Sequence, residues 1–229
     1  MRIALSHLPV AVRLNVSARA RRFTLRLGAP GEDAVLTLPP GVPRLEAEQF
    51  LDRHAGWLDR ALARQPQGIA VGPGVRLPVA GRMVEIVLAP GPRRAPVLRE
   101  DALVVTGAGA AAPRIAAWLR EGARAALVPA VQGYAARLGC ALRGVALRDT
   151  RSRWGSCSSA GRISFSWRLA MAPPGVLDYV AAHEAAHLAE MNHGPRFWAL
   201  VERLRPGHAA ERAWLKREGR ALHAYRFGD

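Results

Sequence analysis

The sequence predicts an α+β fold in which a β-rich N-terminal unit precedes a second, mostly helical unit. Three observations lead to this prediction. Short apolar segments broken by glycine and proline fill the first part of the chain, helical spacing of apolar residues takes over after the stretch GAGAAA at 107–112, and two strand-like segments return within 144–169. We place the two units at 1–110 and 111–229. No internal repeat is apparent in the sequence.

The strands of the first unit are predicted from their two-residue period. In RRFTLRL, residues 21–27, Phe23, Leu25 and Leu27 share one face while arginine and threonine occupy the other, as in a half-buried strand. Five further segments are predicted as strands: PVAVRLNV, AVLTLPPG, VRLPV, MVEIVLA and ALVVTG. One helix over residues 44–65 interrupts them, with a proline on either side.

The second unit begins with a predicted helix over residues 113–138, which ends before Gly139 and is kinked or split at Pro129. GVALRDT and RISFSWRL are then predicted to pair as a hairpin around the turn-rich segment RWGSCSSAG. Three helices follow. The first opens at Pro173-Pro174, the second at Pro195, and the third spans residues 209–223.

The chain carries a formal net charge of +15, and all of its basic residues except Lys216 are arginine. This charge is spread along the chain and favours acidic partners, among them nucleotides, nucleic acid or acidic proteins. A genome rich in arginine codons is the alternative explanation. The two cysteines, the lack of an apolar leader and the lack of an 18-residue apolar run predict a cytoplasmic protein without a membrane span.

The segment HEAAHLAEMNH, residues 183–193, places three histidines and two glutamates in eleven positions. On a helix His183 and His187 share one face with their Cβ atoms about 5–6 Å apart, so both imidazoles can point at one zinc ion. Glu184, one step round the helix, can reach a water on the open side of the metal as a general base. The alternative interpretation is a helix with two incidental histidines that face solvent or a polar pocket.

His193 is the natural third ligand, because a catalytic zinc ion takes three protein ligands and keeps one open position. Asn192 tolerates a left-handed conformation, and the glycine and proline after His193 prevent the helix from continuing, so the chain can swing His193 back towards the metal. If His193 is instead a capping or surface residue, the third ligand lies elsewhere. The candidates for that position are Glu190, Glu202, His208 and His223.

The three histidines have the spacing of the metzincin motif H-E-x-x-H-x-x-G-x-x-H. Glu190 stands at its glycine position, however, and no methionine follows His193. Both differences disfavour membership of the metzincins.

Residues 148–198 resemble the YgjP-like metallopeptidase domain, a relative of the SprT and WLM zincins. The motifs that carry the resemblance are W-G-S-C-S at 154–158, D-Y-V at 178–180, H-E at 183–184, His187, His193 and F-W at 197–198. LTLPPGV at 36–42 and HAGWLDR at 54–60 also resemble this family, so the likeness covers most of the chain. Ala185 stands where the family usually has leucine, and Gly194 where it has serine.

The resemblance implies a zincin-like core in which the HExxH helix lies beside a small antiparallel or mixed sheet. It also implies that His183, His187 and His193 bind Zn²⁺ and that Glu184 is the catalytic base of a metallopeptidase. Peptides or proteins are then the expected substrates.

Arg151 and Arg153 lie just before the W-G-S-C motif and can contact the substrate or the developing negative charge of a transition state. A solvated strand face is the alternative for both. Tyr179 is expected either to pack in the core or to support the ligands, and Cys157 to be a small buried residue.

Two further functions remain open. A metal-dependent phosphate or nucleotide hydrolase of pyrophosphatase type would use the same activated water and an enclosed, arginine-lined pocket, whereas a peptidase needs an open groove with a free strand edge. A SprT-like protease recruited to nucleic acid by its charge is the other alternative, although no recognition element is visible.

Overall fold

The computed structural model describes residues 2–3, 8–28, 33–64 and 68–228, which form two compact units, Met1–Gly68 and Ile69–Asp229. Both units combine helices with small mixed sheets. The predicted α+β fold class is therefore confirmed.

The first unit contains a four-stranded sheet with the strand order β1-β2-β4-β3. Its strands are β1 (Arg2–Ile3), β2 (Val12–Val16), β3 (Thr24–Arg26) and β4 (Ala34–Leu38). The central strands β2 and β4 are parallel, and each edge strand is antiparallel to its neighbour. Alternate residues of β4, Ala34, Leu36 and Leu38, are buried, because successive side chains of a strand point to opposite faces.

Two helices, α1 (Arg44–Arg53) and α2 (Ala55–Ala63), share the core of this sheet through Leu51 and Leu58. The sequence predicts one helix over residues 44–65, but the structure interrupts it at His54. The Nδ1 atom of His54 lies 2.8 Å from the carbonyl oxygen of Phe50, and the backbone N–H of His54 donates to Leu51. In a continuous helix the carbonyl oxygen of Phe50 would accept a hydrogen bond from the backbone N–H of His54, but here it contacts the imidazole instead. Residue 65 lies outside the described residues.

The second unit opens with β5 (Ile69–Ala70) and a second four-stranded sheet with the order β6-β7-β9-β8. Its strands are β6 (Arg76–Val79), β7 (Arg82–Ala89), β8 (Val97–Arg99) and β9 (Ala102–Thr106). The pairing directions are again antiparallel, parallel and antiparallel. The two four-stranded sheets therefore have the same topology, although the sequence shows no repeat. Many different alternating apolar sequences can form the same pattern of paired strands.

The second sheet and the helix α3 (Ala111–Leu138) belong to one hydrophobic core, in which Leu77, Ile86 and Leu103 are clustered with Ile115 and Leu119. The boundary predicted near residue 110 therefore falls inside this core, and the compact units divide after Gly68 instead. The composition of GAGAAA marks the change from strand to helix and not a break between domains. Helix α3 is continuous through Pro129 and ends at Gly139, whose φ of 66° is the left-handed conformation predicted for a glycine cap.

A third sheet has the order β10-β12-β11, formed by β10 (Gly144–Arg148), β11 (Gly155–Cys157) and β12 (Arg162–Ser166). The predicted hairpin between the segments at 144–150 and 162–169 is wrong, because β10 and β12 are parallel. The antiparallel partner of β12 is β11, which lies within the segment predicted as a turn. The connection from β10 to β12, which contains β11, has the length of about a dozen residues that a parallel pair requires.

Beyond β12 the chain forms a 3-10 helix, Trp167–Met171, and then the three predicted helices. They are α4 (Pro174–Ala186), α5 (Pro195–Leu204) and α6 (Ala209–Glu218), and the last continues as a 3-10 helix over Gly219–His223. Prolines occupy the first turns of α4 and α5 as predicted. The final strand β13 (Tyr225–Arg226) is parallel to β5. Within the described ranges, no helix is long and apolar enough to cross a membrane.

The shared core of the second unit predicts how fragments of the chain will fold. A fragment of residues 69–229 should unfold cooperatively, whereas a fragment of residues 111–229 should not, because it exposes the faces of α3 that pack in one core with Leu77, Ile86 and Leu103. Thermal unfolding followed by near-UV circular dichroism tests this difference. Cooperative folding of the shorter fragment would contradict the assigned boundary.

Candidate metal centre

Helix α4 is buried along most of its length. Four alanines at positions 181, 182, 185 and 186 are completely buried, and their small side chains allow neighbouring elements to approach the helix closely. Ala185 occupies one of these positions. The helix consequently exposes few side chains, and within the HEAAH motif it is His183 that is partly exposed, on the open side of the helix.

The three histidines of residues 183–193 converge on one point. Each offers a ring nitrogen, and the three nitrogen atoms lie within 4.8 Å of one another. The Nε2 atoms of His183 and His193 are 3.1 Å apart. A tetrahedral zinc ion with Zn–N bonds near 2.0–2.1 Å separates its ligands by about 3.3 Å, so this donor set fits such an ion.

The tautomer of His187 is fixed by its backbone contact. Its Nδ1 lies 3.1 Å from the carbonyl oxygen of Glu190, which can only accept a hydrogen bond, so Nδ1–H donates and Nε2 keeps its lone pair for a metal. His183 has no such partner for its buried Nδ1 within the described residues, and its ring packs against Phe197 at a centroid distance of 4.9 Å.

Two aromatic residues at the start of α5 hold His193, which belongs to no helix. Phe197 is fully buried, and its ring lies 4.4 to 4.9 Å from all three imidazoles. The indole Nε1–H of Trp198 donates to the carbonyl oxygen of His193 over 3.1 Å. Phe197 therefore packs against all three rings, and Trp198 fixes the backbone at His193.

Both helical histidines are neutral at ordinary pH. Burial lowers the pKa of His183 to about 3, and the neighbouring His187 and His193 act in the same direction. Burial also lowers the pKa of His187. Neutral imidazoles have a free lone pair, which is the form that binds a metal ion.

Glu184 lies on the same open side of α4 but is 95% buried. Burial raises the pKa of its carboxyl group to about 8, and the nearby charge of Arg153 opposes this effect. The carboxyl group packs directly against β11: a Cβ atom built on Gly155 would lie 2.6 Å from the carboxyl carbon of Glu184. The glycine of the W-G-S-C motif thus makes room for the glutamate of the HEAAH motif.

The backbone of β11 has one unpaired edge beside Glu184. Ser166 N–H donates to the oxygen of Trp154, and Ser158 N–H donates to the oxygen of Arg162. Because paired and unpaired residues alternate in an antiparallel ladder, the backbone groups of Gly155 and Cys157 point away from β12. Among the residues that the structure describes, β11 is the last strand of its sheet, so these groups form a free edge.

A cleft of about 740 Å³ opens over His183 and His193. The residues that line it are Arg153, Trp154, Gly155, Tyr179, Val180, His183, Glu184, His193, Trp198, Arg212, Leu215 and Lys216. Arg153 lines this cleft, whereas Arg151 is not among its lining residues, and contact of either arginine with a substrate stays a prediction. The prediction missed Arg212 and Lys216, since helical spacing in the sequence did not reveal which face of α6 meets the cleft.

The other residues considered as ligands are engaged elsewhere. An Oε2 atom of Glu202 lies 2.9 Å from Nδ1 of His208, and the ring of His223 stacks on Trp154 at 4.8 Å. The side chain of Glu190 accepts from the backbone of Asn192. Burial raises the pKa of the Cys157 thiol to about 11, with a further contribution from Glu184, so this sulfur stays protonated.

Tyr179 is mainly a core residue, as expected from its spacing. It is 95% buried, and its ring stacks on His208 and meets the edge of His183 at 5.9 Å.

A separate groove of about 500 Å³ in the first unit is lined by four arginines, at positions 19, 21, 22 and 26. The positive charge of the chain is therefore concentrated in at least two places on its surface.

The family model described as YgjP-like, metallopeptidase domain, matches residues 21–218 of the 229-residue chain. No curated protein and no solved structure matches the chain significantly. The match confirms the resemblance that the motifs at 148–198 indicate.

The buried carboxyl group of Glu184 predicts a pH-dependent stability difference. In the folded protein its pKa of about 8 exceeds the ordinary value of 4.5. Between these two pH values the carboxyl group ionises in the unfolded chain but stays protonated in the folded protein. Ionisation therefore stabilises the unfolded state, and the free energy of unfolding falls as the pH rises. In metal-free protein, Glu184→Gln should therefore raise the free energy of unfolding at pH 8 by on the order of 4 kcal/mol. At pH 4.5 the difference should nearly vanish. Urea unfolding at both pH values measures it, and a difference independent of pH would contradict the shifted pKa.

Proposed function

Because the chain belongs to the YgjP-like metallopeptidase family, we propose that it is a zinc-dependent hydrolase of the metallopeptidase type. His183, His187 and His193 hold the zinc ion, and Glu184 is the general base. The helix that carries the motif and the mixed sheet beside it serve as a zincin-like core. The observation that carries this proposal is the convergence of three histidine nitrogens beside a buried glutamate at the floor of an open cleft.

Zinc at this position supplies a Lewis acid that polarises a carbonyl group and makes water acidic near neutral pH. The Glu184 carboxylate accepts a proton from the attacking water as its oxygen bonds to the carbonyl carbon. The C–N bond then breaks, and the same carboxyl group returns the proton to the leaving nitrogen. The products are a carboxylic acid and an amine, so one water is consumed. The carboxylate form of Glu184 thus acts as the base and its protonated form as the acid.

The free edge of β11 supports a peptide as the substrate. Gly155 and Cys157 can pair with an extended chain by β-augmentation, and Gly155 lies against Glu184. A chain bound along this edge would pass the general base. Arg153 lines the same cleft and can stabilise negative charge that develops on the carbonyl oxygen.

A metal-dependent phosphate or nucleotide hydrolase is the second candidate. The observation in its favour is that Arg153, Arg212 and Lys216 all line the cleft, since guanidinium groups bind phosphate well. A free strand edge has no use in binding a nucleotide, and we therefore rank the peptidase first. Hydrolysis of nucleoside triphosphates without any cleavage of peptides would favour the second candidate.

The metal site predicts a specific pattern of zinc content and activity. After chelation and reconstitution, the native protein and Glu184→Gln should each hold about one zinc ion, because Glu184 is not a ligand. His193→Ala should lose it or bind it much more weakly. Elemental analysis measures the content, and cleavage of a peptide mixture followed by mass spectrometry measures the activity.

Two controls accompany these variants. His208→Ala and His223→Ala remove histidines that lie outside the cluster and should keep the zinc ion. Glu184→Gln should reduce peptide cleavage by at least about 100-fold. The proposal is wrong if the native protein binds no zinc, or if Glu184→Gln cleaves peptides as fast as the native protein.

The contact between β11 and Glu184 predicts the effect of a single methyl group. Gly155→Ala should displace the Glu184 carboxyl group and lower activity strongly, while the zinc content stays unchanged because the three atoms nearest to the added carbon all belong to Glu184 and none to a histidine. Gly133→Ala is the matched control, since nothing lies near the added carbon in helix α3. Full activity in Gly155→Ala would show that the close approach to Glu184 is not required.

A further inference from the structure

The charges that line the cleft are unbalanced. Arg153, Arg212 and Lys216 carry positive charge, and Glu184 is the one acidic residue among the twelve that line it. Arg212 and Lys216 are exposed and have no acidic partner among the described residues. Other cations of the second unit are paired: Arg168 with Asp149, and Arg217, next to Lys216, with Glu218.

Arg212 is held in position by an aromatic contact. Its guanidinium carbon lies 4.1 Å from the ring centroid of Trp198, the residue whose indole fixes the backbone of His193. A guanidinium group stacked on a ring still has its N–H groups free at its edge, where they can donate to a carboxylate in a bidentate manner. The contact therefore presents an ordered anion-binding group next to the proposed metal site.

Lys216 follows Arg212 by four residues on α6, so the two side chains share one face of the helix. Both line the cleft, whereas the free edge of β11 is supplied by a different element. A peptide that pairs with this edge would therefore share the cleft with two cations. This combination selects a substrate that is both extended and acidic.

We propose that Arg212 and Lys216 bind a carboxylate of the substrate, so that the enzyme prefers peptides with an acidic group within a few residues of the cleaved bond. This inference rests on the proposed peptidase function and specifies its substrate class. The carboxylate can come from an aspartate or glutamate side chain or from the C-terminus of the peptide. Phosphate shares the negative charge but has no use for the free edge of β11.

The test uses the zinc-loaded, full-length protein. A peptide that it cleaves is first identified in a defined mixture, and variants of this peptide are then made with Glu, Gln or Lys next to the cleaved bond. Each variant is prepared with a free and with an amidated C-terminus. The measured quantity is kcat/KM for every peptide.

We expect the native protein to prefer the carboxylate-bearing peptide over its amide analogue by about tenfold, and this preference should weaken at high salt. Lys216→Gln and Arg212→Gln should each reduce the preference. The double variant Arg212→Glu, Lys216→Glu should shift it towards the lysine peptide. Arg217→Gln is the matched control, because it is exposed on the same helix but does not line the cleft, and it should keep the native preference.

The remaining outcomes separate the two proposals. If the zinc-loaded protein cleaves none of the peptides, the proposed peptidase function itself fails. Cleavage of all peptides at equal rates, or an Arg217→Gln variant that loses the preference equally, would overturn the selection of a carboxylate by Arg212 and Lys216. If amidation of the C-terminus by itself abolishes the preference, the recognised group is the C-terminal carboxylate. Zinc content is measured for every variant, and a loss of zinc in Arg212→Gln would show that Arg212 acts through Trp198 and not on the substrate.

Discussion

The close packing of helix α4 is the constraint on which the candidate site depends. Completely buried alanines line this helix, so neighbouring elements approach its backbone more closely than larger side chains would allow. Strand β11 comes so near that only glycine fits at position 155 beside Glu184. The same packing buries the carboxyl group and raises its pKa, while His183 lines the open cleft. The close packing of α4 therefore accounts for the position and the raised pKa of Glu184 and for the exposure of His183.

In the proposed metal site the helix supplies two ligands, and the third requires a loop that returns to the same point. Phe197 packs against all three imidazoles. Trp198 donates a hydrogen bond to the backbone of His193, and the guanidinium group of Arg212 stacks on its ring. In our account the metal site, the loop and the cationic wall of the cleft thus share one aromatic support. A substitution at Trp198 would disturb both metal binding and substrate binding.

The sequence predicts the parts of this protein that are determined by local chemistry. Pro195 starts a helix, Gly139 ends one, and the spacing of His183 and His187 places both on one helix face, because each effect acts within a few residues. It does not predict the parallel pairing of β10 with β12, the division after Gly68 or the contact of Arg212 with Trp198. These depend on which distant segments meet in the core, and a period of two or of 3.6 residues fits several such arrangements. The position of His193 lies between these cases, since the turn was predictable but its support by Phe197 was not.

The central claim is that three imidazoles of this chain bind one zinc ion and leave a position open. X-ray absorption spectroscopy at the zinc edge of the reconstituted protein tests it most directly, because imidazole and thiolate ligands give different distances and scattering. Our account predicts three imidazole nitrogens at about 2.0–2.1 Å together with one further light atom. A sulfur ligand at about 2.3 Å, or fewer than three imidazoles, would contradict it.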